Sequence, residues 1–314
     1  MVNTLFRYRC NKCGCDDFLQ FAENQVCCSS CGNSLQITPQ NVIVFEDDHS
    51  EQSEHFNNLY SSGYSPTKDV FIEEYEDEYK TSKQRANEAL KLWGLNRELP
   101  LENKMILDAA CGPGWLTAGL MQNRRIQNCT FHAFDISGIG LEMLAHFILR
   151  RKTTNQVEMS IQNAEKMHFS DNTFDLIAGH SMLHHLLQYE DFLKDCLRIL
   201  KPGGTAIFGE PFAVGYGLLA ASLKLAETDL GVNYEEIDRF YDHLKARVTS
   251  PRKRLKRFVD KHLFFQSEIM QTVQEIGFRS VDFVSLLDLD YYRNHFVTDE
   301  LKLSYGITDK QLIA

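Results

Sequence analysis

The stretch Met105-Ile-Leu-Asp-Ala-Ala-Cys-Gly-Pro-Gly-Trp-Leu-Thr117 constrains this chain more than any other. Residues 105–107 read as a buried strand with Asp108 at its carboxyl end, Gly112 and Gly114 flank Pro113 in a turn, and a helix is expected to start near Trp115. A strand, a glycine turn and a helix in that order open a doubly wound α/β sheet, and such sheets bind ligands at the carboxyl ends of their strands. Glycine lets the backbone approach a ligand closely, and a helix N-terminus offers unpaired N–H groups to an anion. The stretch is therefore expected to hold a nucleotide-like cofactor. It fits a dinucleotide fingerprint poorly, because Thr117 stands at the third glycine's place and an acid precedes the first glycine by four positions.

Further strands are expected near 130–134, 157–161, 174–179 and 204–209, with helices near 115–122, 138–151 and 189–200. Strands and helices alternating in this way imply right-handed crossovers and a parallel sheet. A helix over 267–276, ended by Gly277, and a strand over 280–286 are expected to return to the sheet, whereas residues 288–314 show no clean alternation.

Asp108 followed by Cys111-Gly-Pro-Gly114 resembles the first motif of the class I S-adenosylmethionine-dependent methyltransferases. Asp135 ends the second strand, where that family uses a carboxylate to hold both ribose hydroxyls. The segment Gln162-Asn-Ala-Glu-Lys-Met-His-Phe-Ser-Asp-Asn-Thr-Phe-Asp175 is similar to the family's adenine-side loop. Leu183-His184-His185-Leu186 and Leu200-Lys-Pro-Gly-Gly204 follow in the family's order, so the resemblance runs over about residues 105–210.

The resemblance implies a doubly wound, mostly parallel, seven-stranded Rossmann-like α/β sheet and S-adenosyl-L-methionine as cofactor. It places Asp108, Ala109, Cys111, Gly112 and Gly114 beside the methionine moiety, Asp135 at the ribose and Ile136 on one face of the adenine. Asn163, Ala164 and Glu165 fall at the adenine amino edge; Asn163 stands where an Asp is common, and its amide can still accept from an amino group. His180, just past the fourth strand, falls near the methyl group and counts both as a cofactor contact and as a candidate base. The other candidate bases are His184, His185 and Glu210, although L-H-H-L occurs in family members with different substrates and fits a structural role. The absence of an N/D-P-P-Y motif, with His180-Ser-Met-Leu in its place, argues against adenine-N6 or glutamine amide methylation.

Six of the nine cysteines lie in the first 31 residues. Clustering without a secretory signal favours metal over disulfides. Cys10-Asn-Lys-Cys13-Gly and Cys28-Ser-Ser-Cys31-Gly form two knuckles that together would complete a four-cysteine tetrahedral zinc site, with Cys27 an alternative to Cys28 by a one-residue shift. Four cysteine ligands leave no open position, which points to structural zinc. A zinc ribbon is thus expected over 1–47, similar to modules that precede the catalytic domain in some methyltransferases. Residues 46–55 read as an acidic linker or solvated turn, and 69–94 as helical, with Tyr75 and Tyr79 on one face; together 48–100 are expected to supply a linker and helices covering the active site. The methyltransferase domain is expected over 101–314, with a helical lid insertion at about 211–262.

A net charge of −10 gives no global attraction for nucleic acid or anionic membrane. No apolar run reaches the roughly 18 residues that span a bilayer, and the N-terminus lacks a signal-peptide core, so a cytoplasmic protein is expected. These features favour methyl transfer to O, N or activated C of a small-molecule acceptor. A basic run from Lys245 to Lys261 keeps an RNA substrate or a carrier protein open, and a non-catalytic cofactor-binding scaffold is a third reading.

Overall fold

The computed structural model describes residues 7–22, 24–45, 51–61, 100–149, 153–210, 212–213, 215, 242 and 259–283. The chain divides into two units, Met1–Gly209 and Glu210–Ala314. In the first unit the elements run β1 (Phe18–Ala22), β2 (Gln25–Cys28), β3 (Ser34–Ile37), β4 (Val42–Val44), α1 (Glu51–Ser61), β5 (Leu101–Glu102), β6 (Met105–Ala109), α2 (Trp115–Leu120) and β7 (Ile126–Gln127). There follow β8 (Thr130–Asp135), α3 (Gly138–Ile148), β9 (Gln156–Ile161), β10 (Phe174–His180), α4 (Tyr189–Ile199) and β11 (Leu200–Gly209).

A nine-stranded sheet is ordered β1-β2-β3-β4-β9-β8-β6-β10-β11. From β4 to β11 every neighbouring pair is parallel. The central strands bury Ile106, Leu107, Phe131, Ala133, Phe134, Ile177 and Ala178, the near-continuous apolar run expected of strands covered on both faces. Each fully buried Phe or Leu stabilises the fold by about 1.5–3 kcal/mol. Helix α4 turns Tyr189, Phe192, Leu193, Cys196 and Ile199 inward at three- and four-residue spacing. Cys111, Cys129 and Cys196 are buried, as expected for small core residues. Because β6 comes first in the α/β portion and is flanked by β8 and β10, the order reverses beside it, and the crevice opens at the carboxyl ends of these strands.

The cysteine-rich segment reads as a unit apart, but its strands join the same sheet. β1 to β4 form an antiparallel meander, and β4 pairs with β9 in the register Val42↔Met159, Ile43↔Ser160 and Val44↔Ile161. Val42 and Ile43 are buried there, so the apolar strand covers an edge that β9 would otherwise expose. Residues 7–9 make a second attachment. Arg9 N–H donates to His168 O at 2.9 Å and Ser170 N–H to Arg7 O at 2.8 Å. Between them Tyr8 is buried against the rings of Phe45 and Phe169, at 5.1 and 5.2 Å. On β8 the buried His132 places Nε2 2.8 Å from Glu158 Oε2 and 3.2 Å from Arg7 Nη1.

Two local expectations are corrected. Within the expected linker 46–55, residues 51–55 are helical, as the first half of α1. Glu51 and Glu54 suit the positive end of a helix dipole, and the face bearing Ser53 and Asn57 finds partners on the sheet side. Of the strand expected over 280–286, residues 280–283 form no strand, and 284–286 lie outside the described residues. The expected helices over 69–94, the basic run from Lys245 to Arg257, most of the expected insertion and residues 288–314 also lie outside the described residues.

In the second unit, α5 (Gln266–Ile276) ends at Gly277, whose φ of 108° lets its N–H reach Val273 O and Gln274 O. Phe264 is buried and bridges to Phe212, and Ala213 N–H donates to Phe264 O at 2.8 Å. Among the described residues no helix is long and apolar enough to cross a membrane.

Candidate functional site

The turn between β6 and α2 is fixed by backbone conformation. Ala110, Gly112 and Gly114 all have positive φ, and Gly114 N–H closes on Cys111 O at 2.9 Å. Cys111 N–H donates to Phe134 O at 3.0 Å, tying the turn to the end of β8. Asp108, buried at the end of β6, accepts on Oδ2 from Thr117 N–H at 3.0 Å and Thr117 Oγ1 at 2.7 Å. Burial pushes its carboxyl up to about 7, against the lowering effect of those two bonds.

Asp135, also buried, accepts from Gly112 N–H on Oδ2 at 2.8 Å and from Ser137 N–H on Oδ1 at 2.7 Å. Burial raises it to about 6. The helix cap that follows is made by Ser137, whose Oγ accepts from Gly140 N–H at 3.1 Å. Two carboxyls thus stand on either side of one glycine turn, and Asp135, which takes the backbone N–H groups of Gly112, Ser137 and Ile136, keeps acceptor capacity for a further donor. That acceptor, with a backbone cradle at Gly112, fits a ribose whose hydroxyls donate.

Residues 107–208 match the family model described as a methyltransferase domain. They are a class I methyltransferase domain. A malonyl-[acyl-carrier protein] O-methyltransferase of Buchnera aphidicola is 28% identical over 135 residues, 43% of this chain and 49% of that protein. A demethylmenaquinone methyltransferase of Chlorobaculum parvum is 35% identical over 106 residues, 34% of this chain and 40% of that protein. The chain spans about half the length, or less, of these two curated relatives. A structure of Haemonchus contortus phosphoethanolamine N-methyltransferase 2 in complex with S-adenosyl-L-methionine superposes with a TM-score of 0.39 at 14% identity, covering 57% of this chain and 34% of that one.

In the methyltransferase domain the other expected cofactor residues divide. Ala109 is buried at the end of β6, and Ile136 follows Asp135. Asn163, Ala164 and Glu165 open the loop after β9; Asn163 Oδ1 accepts from Glu165 N–H at 2.8 Å. Glu165 Oε1 accepts from the N–H groups of Leu187 and Gln188, so this carboxylate ties the loop to the segment after the L-H-H-L run. His180 ends β10 with its ring edge on Trp115, centroids 5.1 Å apart, packed over Gly209. Ser181 follows in the left-handed region at φ 52°, its N–H donating to Gly209 O at 2.7 Å. His184 is buried and lies against His185 at 4.1 Å. Glu210, the remaining candidate base, is the first residue of the second unit.

Sequence reasoning missed the residues of α1. Ser53 Oγ donates to Ile136 O at 3.3 Å, and Asn57 Oδ1 accepts from Ser137 Oγ at 2.8 Å. Gln52 Nε2 donates to His185 O at 3.1 Å, while the Phe56 ring meets His185 edge-on at 5.2 Å. Tyr60 reaches Gly112. Helix α1 therefore spans from the β8 end to the L-H-H-L segment. Ser53, Asn57 and Tyr60 at i, i+4 and i+7 were the available signal.

The cysteine knuckles form a second site. Cys10 Sγ lies 3.7 Å from Cys31 Sγ, Cys13 Sγ lies 3.5 Å from Cys28 Sγ, and all four lie within 4.8 Å of one another. Sulfurs around a tetrahedral zinc with Zn–S bonds of about 2.3 Å stand about 3.8 Å apart, so the group could hold that ion. Both knuckles close in the same way, Gly14 N–H on Cys10 O and Gly32 N–H on Cys28 O, each at 2.9 Å. Cys27 sits in the β2 ladder opposite Leu19 and Ser34, next to Cys28 in a strand whose side chains alternate in direction.

Proposed function

We propose that the chain is an S-adenosylmethionine-dependent methyltransferase that methylates O, N or activated C of a small or carrier-bound acceptor, with a structural zinc at Cys10, Cys13, Cys28 and Cys31. The observation that carries the cofactor reading is the pair of buried carboxyls, Asp108 and Asp135, on either side of the Gly112 turn in a domain that matches the methyltransferase family. Small and carrier-bound acceptors are favoured by relatives named for malonyl-[acyl-carrier protein] and demethylmenaquinone.

Bound in this crevice, S-adenosylmethionine supplies a methyl group already activated by its sulfonium, leaving orientation, desolvation and proton removal to the protein. Asp135 accepts from the ribose hydroxyls. Asp108 holds the first turn of α2 through Thr117 and sets a negative charge at the end of β6. Ile136 and residues 163–165 flank the adenine, and Tyr60 closes the turn from above. His180, held by Trp115, is the residue at the end of β10 that takes or orients the acceptor's proton, with His185 and Glu210 as its alternatives; His184 packs in the core.

The experiment is calorimetric titration of S-adenosylmethionine and S-adenosylhomocysteine into the zinc-loaded chain and into Asp135→Ala. Binding by the parent and its loss in the variant support the reading and justify an acceptor screen from metabolites to acyl carriers and RNA. A folded, zinc-loaded chain that binds neither ligand would sink it.

A further inference from the structure

Two sets of contacts run from the four cysteines to the end of β8 and the adenine-side loop. The first starts one residue before Cys10. Arg9 N–H donates to His168 O at 2.9 Å, His168 N–H donates to Gln162 Oε1 at 2.8 Å, and Gln162 N–H donates to Asp135 O at 3.1 Å. The second starts two residues after Cys31. Asn33 Nδ2 lies 3.7 Å from Cys10 Sγ and donates to Asn11 Oδ1 at 2.7 Å, while Asn11 Nδ2 donates to Phe45 O at 2.6 Å. Phe45 N–H then donates to Ile161 O at 3.1 Å. The two routes meet where the Phe45 ring stacks on His168, with centroids 5.2 Å apart and planes 14° apart. Helix α1, which covers the crevice, begins six residues after Phe45.

These contacts start from Asn11, inside the first knuckle, and from Arg9 and Asn33, one and two residues from a cysteine, so they depend on the knuckles keeping their spacing. Four thiolates drawn to one ion cross-link the two knuckles, and without the ion the thiols take up protons and that cross-link is lost. Metal binding and local folding are in this way one equilibrium.

We infer that zinc at Cys10, Cys13, Cys28 and Cys31 raises the affinity of the crevice for S-adenosyl nucleosides, and that Asn11 is a positioning residue for that linkage. The inference rests on the proposed function for both ligands. Its consequence is reciprocal: an S-adenosyl ligand must tighten zinc by the same factor by which zinc tightens that ligand. The N-terminal cysteine module then acts as a built-in organiser of the cofactor site through Phe45, Ile161 and His168.

The test uses the full chain. S-adenosylhomocysteine is titrated into zinc-loaded and chelator-stripped protein, and zinc affinity is measured by competition with a chromophoric chelator, with and without S-adenosylhomocysteine. The expected result is roughly a tenfold change, equal in the two measurements. Asn11→Ala removes no cysteine and leaves the route through Arg9 and His168 intact, so it is expected to keep one zinc per chain while losing a measurable part of that factor. Equal S-adenosylhomocysteine affinity with and without zinc overturns the linkage and leaves the cofactor reading standing. No binding by the zinc-loaded chain overturns both. If the stripped module unfolds, the zinc-loaded Asn11→Ala chain decides: parental affinity for S-adenosylhomocysteine there overturns the inference.

Discussion

The phenol oxygen of Tyr60 stands where a side chain at position 112 would begin, since a Cβ built on Gly112 would lie 2.7 Å from it. Position 112 is therefore restricted twice, by its φ of +54° and by a ring from α1. The phenol is held well above its ordinary pKa, first by burial and then by Asp135 and Cys111, so it stays a donor.

Gly112→Ala is accordingly expected to destabilise the fold by at least about 1–3 kcal/mol, the range for the positive φ alone, with the Tyr60 contact adding to it. Tyr60→Phe removes the nearest atom, leaving the ring carbon that bore it at 3.3 Å. The double variant should recover about 0.5 kcal/mol or more relative to additivity. Denaturant unfolding of the four chains measures this, and strict additivity would show that α1 does not rest on the turn.

Raised carboxyl pKa values give the site a pH signature. Asp108 and Asp135, at about 7 and about 6, hold more protons in the folded chain than in the unfolded one. Their contribution to stability therefore falls as pH rises from about 4, the ordinary Asp value, to about 7, and is level above that. A ligand whose ribose hydroxyls donate to Asp135 favours its ionised form, and the sulfonium of S-adenosylmethionine adds a favourable charge interaction. S-adenosylhomocysteine and S-adenosylmethionine should both bind more tightly at pH 8 than at pH 5.5 and release protons on binding near pH 6. Titration in buffers of different ionisation heat reads the proton count, and pH-independent affinity would refute the assignment.

Asp108→Asn separates stability from binding. An Asn Oδ1 can still accept from Thr117 N–H and Oγ1, while the buried charge and its desolvation cost are removed. At pH 8 the variant is expected to be more stable by about 1 kcal/mol or more and to bind S-adenosylmethionine at least roughly tenfold more weakly. Thermal unfolding and calorimetry on one preparation test both halves. A loss of stability would mean that the carboxylate is already paired in the ligand-free chain.

The parts of the fold legible in the sequence are those whose signals are local. β6, β8 and β10 announce themselves as apolar runs with Asp108, Asp135 and His180 at or next to their carboxyl ends, β9 as an alternating strand, and the glycines of the first turn sit where positive φ demands them. Helix α1 offered only the spacing of Ser53, Asn57 and Tyr60, and its polar face looks solvated until Ile136 O and Ser137 Oγ are placed against Ser53 and Asn57. The β4–β9 pairing joins residues more than a hundred positions apart, and no local pattern specifies it. Glu165 shows a further limit: its place in the loop was readable, but its bonds to Leu187 and Gln188 N–H were not.

Cys27 and Cys28 provide the last prediction. Both spacings allow two knuckles in sequence, but in the structure Cys28 Sγ lies 3.5 Å from Cys13 Sγ within the four-sulfur group, which does not include Cys27. Cys28→Ser should therefore abolish stoichiometric zinc and loosen β1 to β4, because a structural zinc contributes its binding energy to folding. Cys27→Ser should retain one zinc per chain, at a stability cost within about 1 kcal/mol for a half-buried strand position. Metal analysis of the two purified variants decides between them. Retention by Cys28→Ser together with loss in Cys27→Ser would shift the second knuckle by one residue and reverse which face of β2 carries the metal.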